Sequence, residues 1–344
     1  MEIILGLLII AIGAFCQSSC YVPINKIKQW SWESYWIVQG VFAWLIFPLI
    51  GALLAVPSGH SLFELFTAER SFNIWMTIFF GILWGVGGLT FGLSMRYLGV
   101  ALGQSIALGT CAGLGTIMGP VLLNIFFPEL NALSSLTASV IIGVVVTLVG
   151  IAIIGVAGSM KAASLSEEEK KAAVKDFNFP KGLAIALLAG FMSGCFNVGL
   201  EFGKDINFGD MTNVMFRTLP ATLLVTLGGF LTNAIYCFYQ NKKNNTFGDY
   251  SKISVLTNNI LFCALAGLLW YSQFFGLALG KGFLTSSPVL TTLAFCILMA
   301  LNVVFSNVWG IILKEWKGCS RATLAVLVVG IVVLIFSCFV PQLL

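Results

Sequence analysis

Long apolar stretches alternate with short polar breaks along the whole chain. A window matched to the ~20 residues that cross a hydrocarbon core finds ten of them, at residues 3–24, 34–56, 72–95, 100–126, 136–158, 182–202, 211–240, 256–280, 285–313 and 321–343. Runs this long and uniformly apolar lack the alternation of barrel strands, and lipid leaves backbone amides no partner outside their own segment. Helices are therefore the expected structure. The pattern predicts an all-α polytopic membrane protein with ten transmembrane helices. Pro120 and Pro288 are candidate breaks in the fourth and ninth spans, because proline removes a backbone bond and crowds the preceding turn.

One polar insert stands out, "SMKAASLSEEEKKAAVKDFNFPKG", which divides the spans five and five. An odd number of spans in each half makes the second half enter the membrane in the opposite direction, as in transporters built from inverted repeats. A duplication should leave an echo, and "AFCQSSCYV" in the first span answers "GFMSGCFNV" in the sixth. Likewise "GILWGVGGLTFGL" in the third answers "GLLWYSQFFGL" in the eighth, which aligns Trp84 with Trp270. The expected organisation is one membrane domain of two inverted five-helix repeats, 1–158 and 182–344, joined by a charged cytoplasmic linker at 159–181.

Composition sharpens the class. Of 344 residues 58% are hydrophobic and 9% charged, against roughly a quarter charged in a soluble domain, and mean hydropathy is +0.98. A net charge of +4, dispersed along the chain, is too weak a surplus for a nucleic-acid partner. The positive charges instead give an orientation. Fourteen of the eighteen lysines and arginines fall in connections after odd-numbered spans, which places those connections in the cytoplasm and both termini on the outer side. The acidic start and overlong apolar run at the N-terminus read as a first span rather than a removable signal peptide. The nine cysteines lie mostly inside apolar runs and read as packing residues. Cys16 and Cys20 share a helix face, but no histidine or carboxylate accompanies them, so no metal or other cofactor is expected.

Four segments, "YVPINKIKQWSWESYW" from Tyr21, "FFGILWGVGGLTFGLSMRYLGVALGQSIALG" from Phe79, "LLWYSQFFGLALG" from Leu268 and "ILKEWKG" from Ile312, resemble the L-rhamnose/proton symporters, a branch of the drug/metabolite transporter superfamily. The likeness runs from the first span to the last. It implies ten helices in two inverted halves and import of a deoxysugar, L-rhamnose, with a proton across the inner membrane, both termini being periplasmic. The partners are then the sugar, the proton and the lipid bilayer; the oligomeric state stays open.

A neutral sugar needs hydrogen-bonding side chains for its hydroxyls and flat apolar faces for its C–H surfaces. The candidate substrate contacts are Gln17, Trp84, Gln104, Asn197, Trp270, Tyr271, Gln273 and Phe274. Ser18, Gln39, Asn302 and Asn307 are further polar residues inside spans. For each polar residue, bonding between helices is the competing role. The densest cluster is "LWYSQFFG", where Trp270 and Phe274 share a helix face and Gln273 lies beside them. Glycines crowd the third and fourth spans and suit either tight packing or a moving hinge. Proton coupling asks for an acid inside a span; Glu201 is the candidate, although a local pairing with Lys204 explains it as well. The opening stretch Tyr21 to Trp36 reads chiefly as an interfacial anchor, with Lys26 or Glu33 as possible parts of an inner gate. Alternatives keep the fold and change the cargo to another sugar or metabolite, or the coupling to sodium or exchange. Against an enzyme stands the lack of a catalytic constellation, and against a sensor the lack of a soluble signalling domain.

Overall fold

The computed structural model describes residues 2–68, 71–98, 100–164, 178–312 and 316–340. All regular structure among them is helical. Among the described residues nine helices supply all or most of a segment long and apolar enough to cross a membrane: Glu2–Ile24 (α1), Trp32–Leu54 (α2), Ser71–Leu98 (α3), Val100–Phe126 (α4), Ala138–Ala163 (α5), Phe179–Phe202 (α6), Leu219–Asn244 (α7), Ile253–Phe283 (α8) and Pro288–Ile312 (α9). Arg321–Ser337 (α10) is apolar but only 17 residues long. The chain is a multi-pass membrane protein. Most of the polar insert, 165–177, lies outside the described residues.

Local sequence sets where these helices begin and bend. Pro288 is the first residue of α9 rather than a break inside it, since a missing N–H costs nothing where the helix has no acceptor to offer. Pro120 lies within α4, which stays helical through it. The predicted seventh span starts later than its hydropathy suggests. Two short 3₁₀ turns, Gly209–Met211 and Val214–Phe216, come first, and α7 begins at Leu219 with Pro220 in its opening turn. Arg217 therefore stands ahead of the helix, paired with Asp210 at 3.3 Å. Inside α2, residues Val41–Ile46 form a π-helical stretch that ends where Phe47 N–H donates to the Phe42 carbonyl. Pro48 follows at once; it has no N–H to give, and the wider turn relieves its ring of the carbonyl four residues back.

Two compact units are present, one of residues Met1–Gly85 with Gly199–Phe283 and one of Val86–Val198 with Leu284–Leu344. Each draws on both halves of the sequence. In the first, α1 packs antiparallel on α8, with Gly13 against the backbone of Ser272 and Gln273 and Gly280 against Gly6 and Ile10. On α3, Gly81 meets the Val225 carbonyl of α7 and Gly85 meets Thr232 and Gly229; on α8, Gly267 meets Gln39, Phe42 and Ala43 of α2. These glycines let backbones touch, which side chains would prevent.

In the second unit α5 packs on α10, Gly150 against Leu334 and Gly330 against Ile154, and on α4, where Gly109 and Gly113 receive Ile151 and Leu148. A buried hydroxyl pair, Thr147 to Ser337 at 3.0 Å, joins α5 to α10. Gly115 of α4 packs on Gly194 of α6 and Phe295 of α9. Cysteines follow the packing expectation: seven are buried, while Cys16 and Cys319 are half-buried.

Candidate functional site

The first unit gathers an aromatic cluster. Trp84 of α3 and Trp270 of α8 lie with ring centroids 5.6 Å apart and planes inclined by 35°. Trp44, from the π-helical stretch of α2, stands perpendicular to both at 6.0 Å. Phe274 adds an edge-on contact to Trp270 at 5.2 Å. The chain of rings continues along α2 through Trp36, 5.7 Å from Trp44, to Trp32, stacked on Trp36 at 5.4 Å. Two glycines make the room: a Cβ on Gly229 would strike the Trp84 ring, and one on Gly40 would come within 2.5 Å of Trp44. Trp84 and Trp270 keep part of their surface open, whereas Trp44 is only 3% exposed.

Sequence reasoning named Trp84, Trp270 and Phe274, and the structure brings these three together. It missed Trp44, which the spacing Trp32, Trp36, Gly40, Trp44 along one helix could have flagged. Tyr271 turns away toward α2, where its phenol presses on Gly51 with no hydrogen-bond partner. Gln273 lies at the α1 contact beside Gly13, its amide donating to the Trp270 carbonyl at 3.1 Å. Gln17 is half-buried on α1. Asn197 belongs to the second unit, where it is buried and donates to the Gly115 carbonyl at 2.7 Å while its own oxygen has no partner. Gln104 sits on α4, but its side chain lies outside the described residues.

The acids fall in two places. Glu201, near the end of α6, is half-buried, and Lys281 of α8 feels its charge together with that of Lys204. Glu33 and Asp249 are the buried acids among the described residues, each 5% exposed. Glu33 Oε1 accepts from Asn244 at 2.9 Å and Thr246 at 2.8 Å. Asp249, in the turn between α7 and α8, accepts from the Ser31 N–H (2.7 Å), the Ser31 hydroxyl (2.6 Å) and the Ser34 hydroxyl (2.9 Å) through Oδ2, and from Lys252 (2.6 Å) through Oδ1. Burial pushes the Asp249 carboxyl up, but the bonds from Lys252, Ser31 and Ser34 outweigh it and hold the group at about 2. Asn259 adds a two-way bond to the Lys28 backbone. The α1–α2 turn is thus fastened to the α7–α8 turn.

Part of the opening stretch is therefore internal. Trp30 packs with Val255, Cys263 and Tyr250, and Trp36 donates its indole N–H to Asn233 Oδ1 at 3.0 Å. Only Trp32 and Tyr21 show the large exposed surface of a membrane-interface anchor.

Comparison with known proteins completes the picture. The chain matches the L-rhamnose-proton symport protein (RhaT) family over residues 1–343. It is 31% identical over 342 residues to an L-rhamnose-proton symporter of Yersinia pestis (strain Pestoides F), covering 97% of this chain and 96% of that one. The same identity and coverage relate it to the protein of that name from Yersinia pseudotuberculosis serotype O:1b (strain IP 31758). With the match running over all but the last residue, the chain belongs to the L-rhamnose-proton symport protein family.

Proposed function

We propose that this protein imports L-rhamnose together with a proton by alternating access, from an inner membrane in which both termini face the periplasm. The observation that carries this reading is the likeness, across nearly the whole chain, to proteins named L-rhamnose-proton symporters. The aromatic cluster suits it, because a six-deoxy sugar has a methyl group and C–H faces that indole surfaces cover well. The candidate contacts in the first unit are Trp84, Trp270 and Phe274 of the cluster, with Tyr271 and Gln273 on α8 and Gln17 on α1; Asn197 on α6 and Gln104 on α4 are separate candidates in the second unit.

In this proposal the chain has ten spans in two inverted repeats, 1–158 and 182–344 about the linker 159–181, and stands in the drug/metabolite transporter superfamily. Two contacts support the repeat. Along α3 and α7 the touching residues rise in number together, from Gly81 with Val225 to Gly85 with Thr232. In the echoing segment Gly267 takes the place of Gly81, and it touches α2, the counterpart of α7. Trp84 and Trp270, aligned by the echo, meet each other, as equivalent residues do near a pseudo-two-fold axis.

Glu201 carries the proton in this scheme, with Lys281 as the positive neighbour of its deprotonated form. Proteoliposomes loaded with the purified chain test the whole reading through uptake of labelled L-rhamnose under an imposed pH gradient, a sodium gradient or neither. Accumulation that follows the pH gradient is expected. Accumulation driven by sodium and indifferent to pH would refute the proton, and binding without uptake would favour a sensor. Glu201→Gln should keep sugar exchange and lose accumulation; retained accumulation moves the proton site elsewhere. Trp270→Ala should weaken L-rhamnose binding about tenfold, as expected for loss of a stacking partner.

A further inference from the structure

We infer that Trp44 is a specificity-determining residue of the sugar site, its indole Nε1–H serving as the donor to one hydroxyl of the bound pyranose. The inference rests on the L-rhamnose reading above and adds a residue and a role to it.

Trp44 occupies the centre of the cluster, perpendicular to both Trp84 and Trp270. Its Nε1 is buried and has no hydrogen-bond partner. Orphaned buried donors are uncommon, because an unpaired buried N–H has given up its bond to water for nothing. The neighbouring indole shows the ordinary solution: Trp36 Nε1 donates to Asn233, whose own amide donates to the Gly229 carbonyl at 2.9 Å. Two indoles two turns apart on one helix thus differ, one tied into the protein and one left with its donor uncommitted. Trp30 also lacks a partner, but it sits in a separate apolar cluster with Val255, Cys263 and Tyr250.

The local backbone is shaped around this side chain. The π-helical stretch Val41–Ile46 includes Trp44, and Gly40 supplies the gap that its six-membered ring fills. Such a stretch accommodates Pro48 and is also a frequent feature of functional sites. Two further orphans lie on the same pair of helices, Gln39 Oε1 on α2 and the Tyr271 hydroxyl on α8. The α2–α8 contact therefore holds polar capacity that protein groups leave unused, and a polyhydroxylated ligand uses such capacity. Trp84 and Trp270 lie 5.6 Å apart with planes inclined by 35°, and Trp44 meets both edge-on. A pyranose that parts them lays a C–H face on Trp84 or Trp270, whose surfaces are partly open, and meets Nε1 with a hydroxyl.

The chemistry predicts discrimination beyond affinity. A site built to bond a hydroxyl rejects the analogue that lacks it, because the protein donor is then left unpaired. Calorimetric titration of the purified full chain with L-rhamnose and its 2-, 3- and 4-deoxy analogues reads this directly. One analogue should bind the native chain about tenfold more weakly than L-rhamnose. Trp44→Phe, which keeps an aromatic ring and removes the N–H, should bind L-rhamnose about tenfold more weakly and should no longer distinguish it from that analogue. Should Trp44→Phe fail to fold, β-(3-benzothienyl)alanine at position 44 keeps the bicyclic shape without the N–H and gives the same readout. Equal discrimination by native and altered chains for all three analogues overturns the assignment while leaving L-rhamnose as the ligand. No L-rhamnose binding by the native chain overturns the sugar reading, and the assignment with it.

Discussion

Replacing Asp249 with asparagine keeps the side-chain shape and removes its charge. The native carboxylate draws four bonds onto two oxygens, three from Ser31 and Ser34 and one from Lys252. An aspartate held at about 2 rather than 3.8 contributes about 2 kcal/mol to folding at neutral pH, a factor of roughly thirty in the unfolding equilibrium. The sign follows from proton uptake. The folded group has the lower pKa, so as pH falls below about 4 the unfolded chain takes up the proton first. The contribution is complete at pH 5 and above and is lost as pH approaches 2. In Asp249→Asn an amide N–H₂ would also face the Lys252 ammonium, donor against donor. Unfolding of the native and Asp249→Asn chains in detergent micelles, followed by intrinsic fluorescence between pH 7 and pH 3, should show a gap of about 2 kcal/mol at pH 7 that narrows toward pH 3. Other acids titrate in both chains and cancel in the difference. A gap absent at pH 7, or constant down to pH 3, would refute the reasoning.

Other outcomes follow from packing. Gly81→Ala drives a methyl group into the Val225 carbonyl and should sharply lower the yield of folded protein, whereas Gly88→Ala, whose methyl meets nothing within 4 Å, should express normally; equal yields would remove the α3–α7 contact as a constraint. Ser337→Ala breaks the bond to Thr147 and should cost only about 0.6 kcal/mol, so a loss of several kcal/mol would reveal a larger network. Glu33→Ala removes the acceptor shared by Asn244 and Thr246, but Thr246 keeps Asn241 Oδ1 at 3.0 Å and Asn244 is exposed, so the change should destabilise the chain by only about 0.5–1.5 kcal/mol; a loss of several kcal/mol would show that the carboxylate holds more than these two bonds.

The membrane class and most helix positions were legible because hydrocarbon imposes a length and a polarity that read directly from sequence. The late start of α7 was not, since Val214, Met215 and Phe216 extend the apolar run ahead of Leu219 and only Pro220 hints at the true start. In the site, Trp84, Trp270 and Phe274 came from an internal echo and an i, i+4 spacing, both of which survive in one dimension. Trp44 and Asp249 act through partners distant in sequence, Trp84 and Trp270 for the one, Ser31 and Ser34 for the other. No local pattern announces such contacts. Tyr271 and Gln273 were grouped with Trp270 by proximity in sequence, but at 100° per residue adjacent positions on a helix point to different neighbours, here α2 and α1.

The run of rings from Trp32 through Trp36 and Trp44 to Trp84 and Trp270 joins five of the nine tryptophans at centroid separations of 5.4–6.0 Å. Indoles this close exchange excitation and couple electronically, so the cluster should act as a single chromophore with strong near-ultraviolet circular dichroism. Under the proposed function, a sugar entering between its members would alter that coupling. The cluster is thus an intrinsic optical reporter of any change in its own packing, with no label attached.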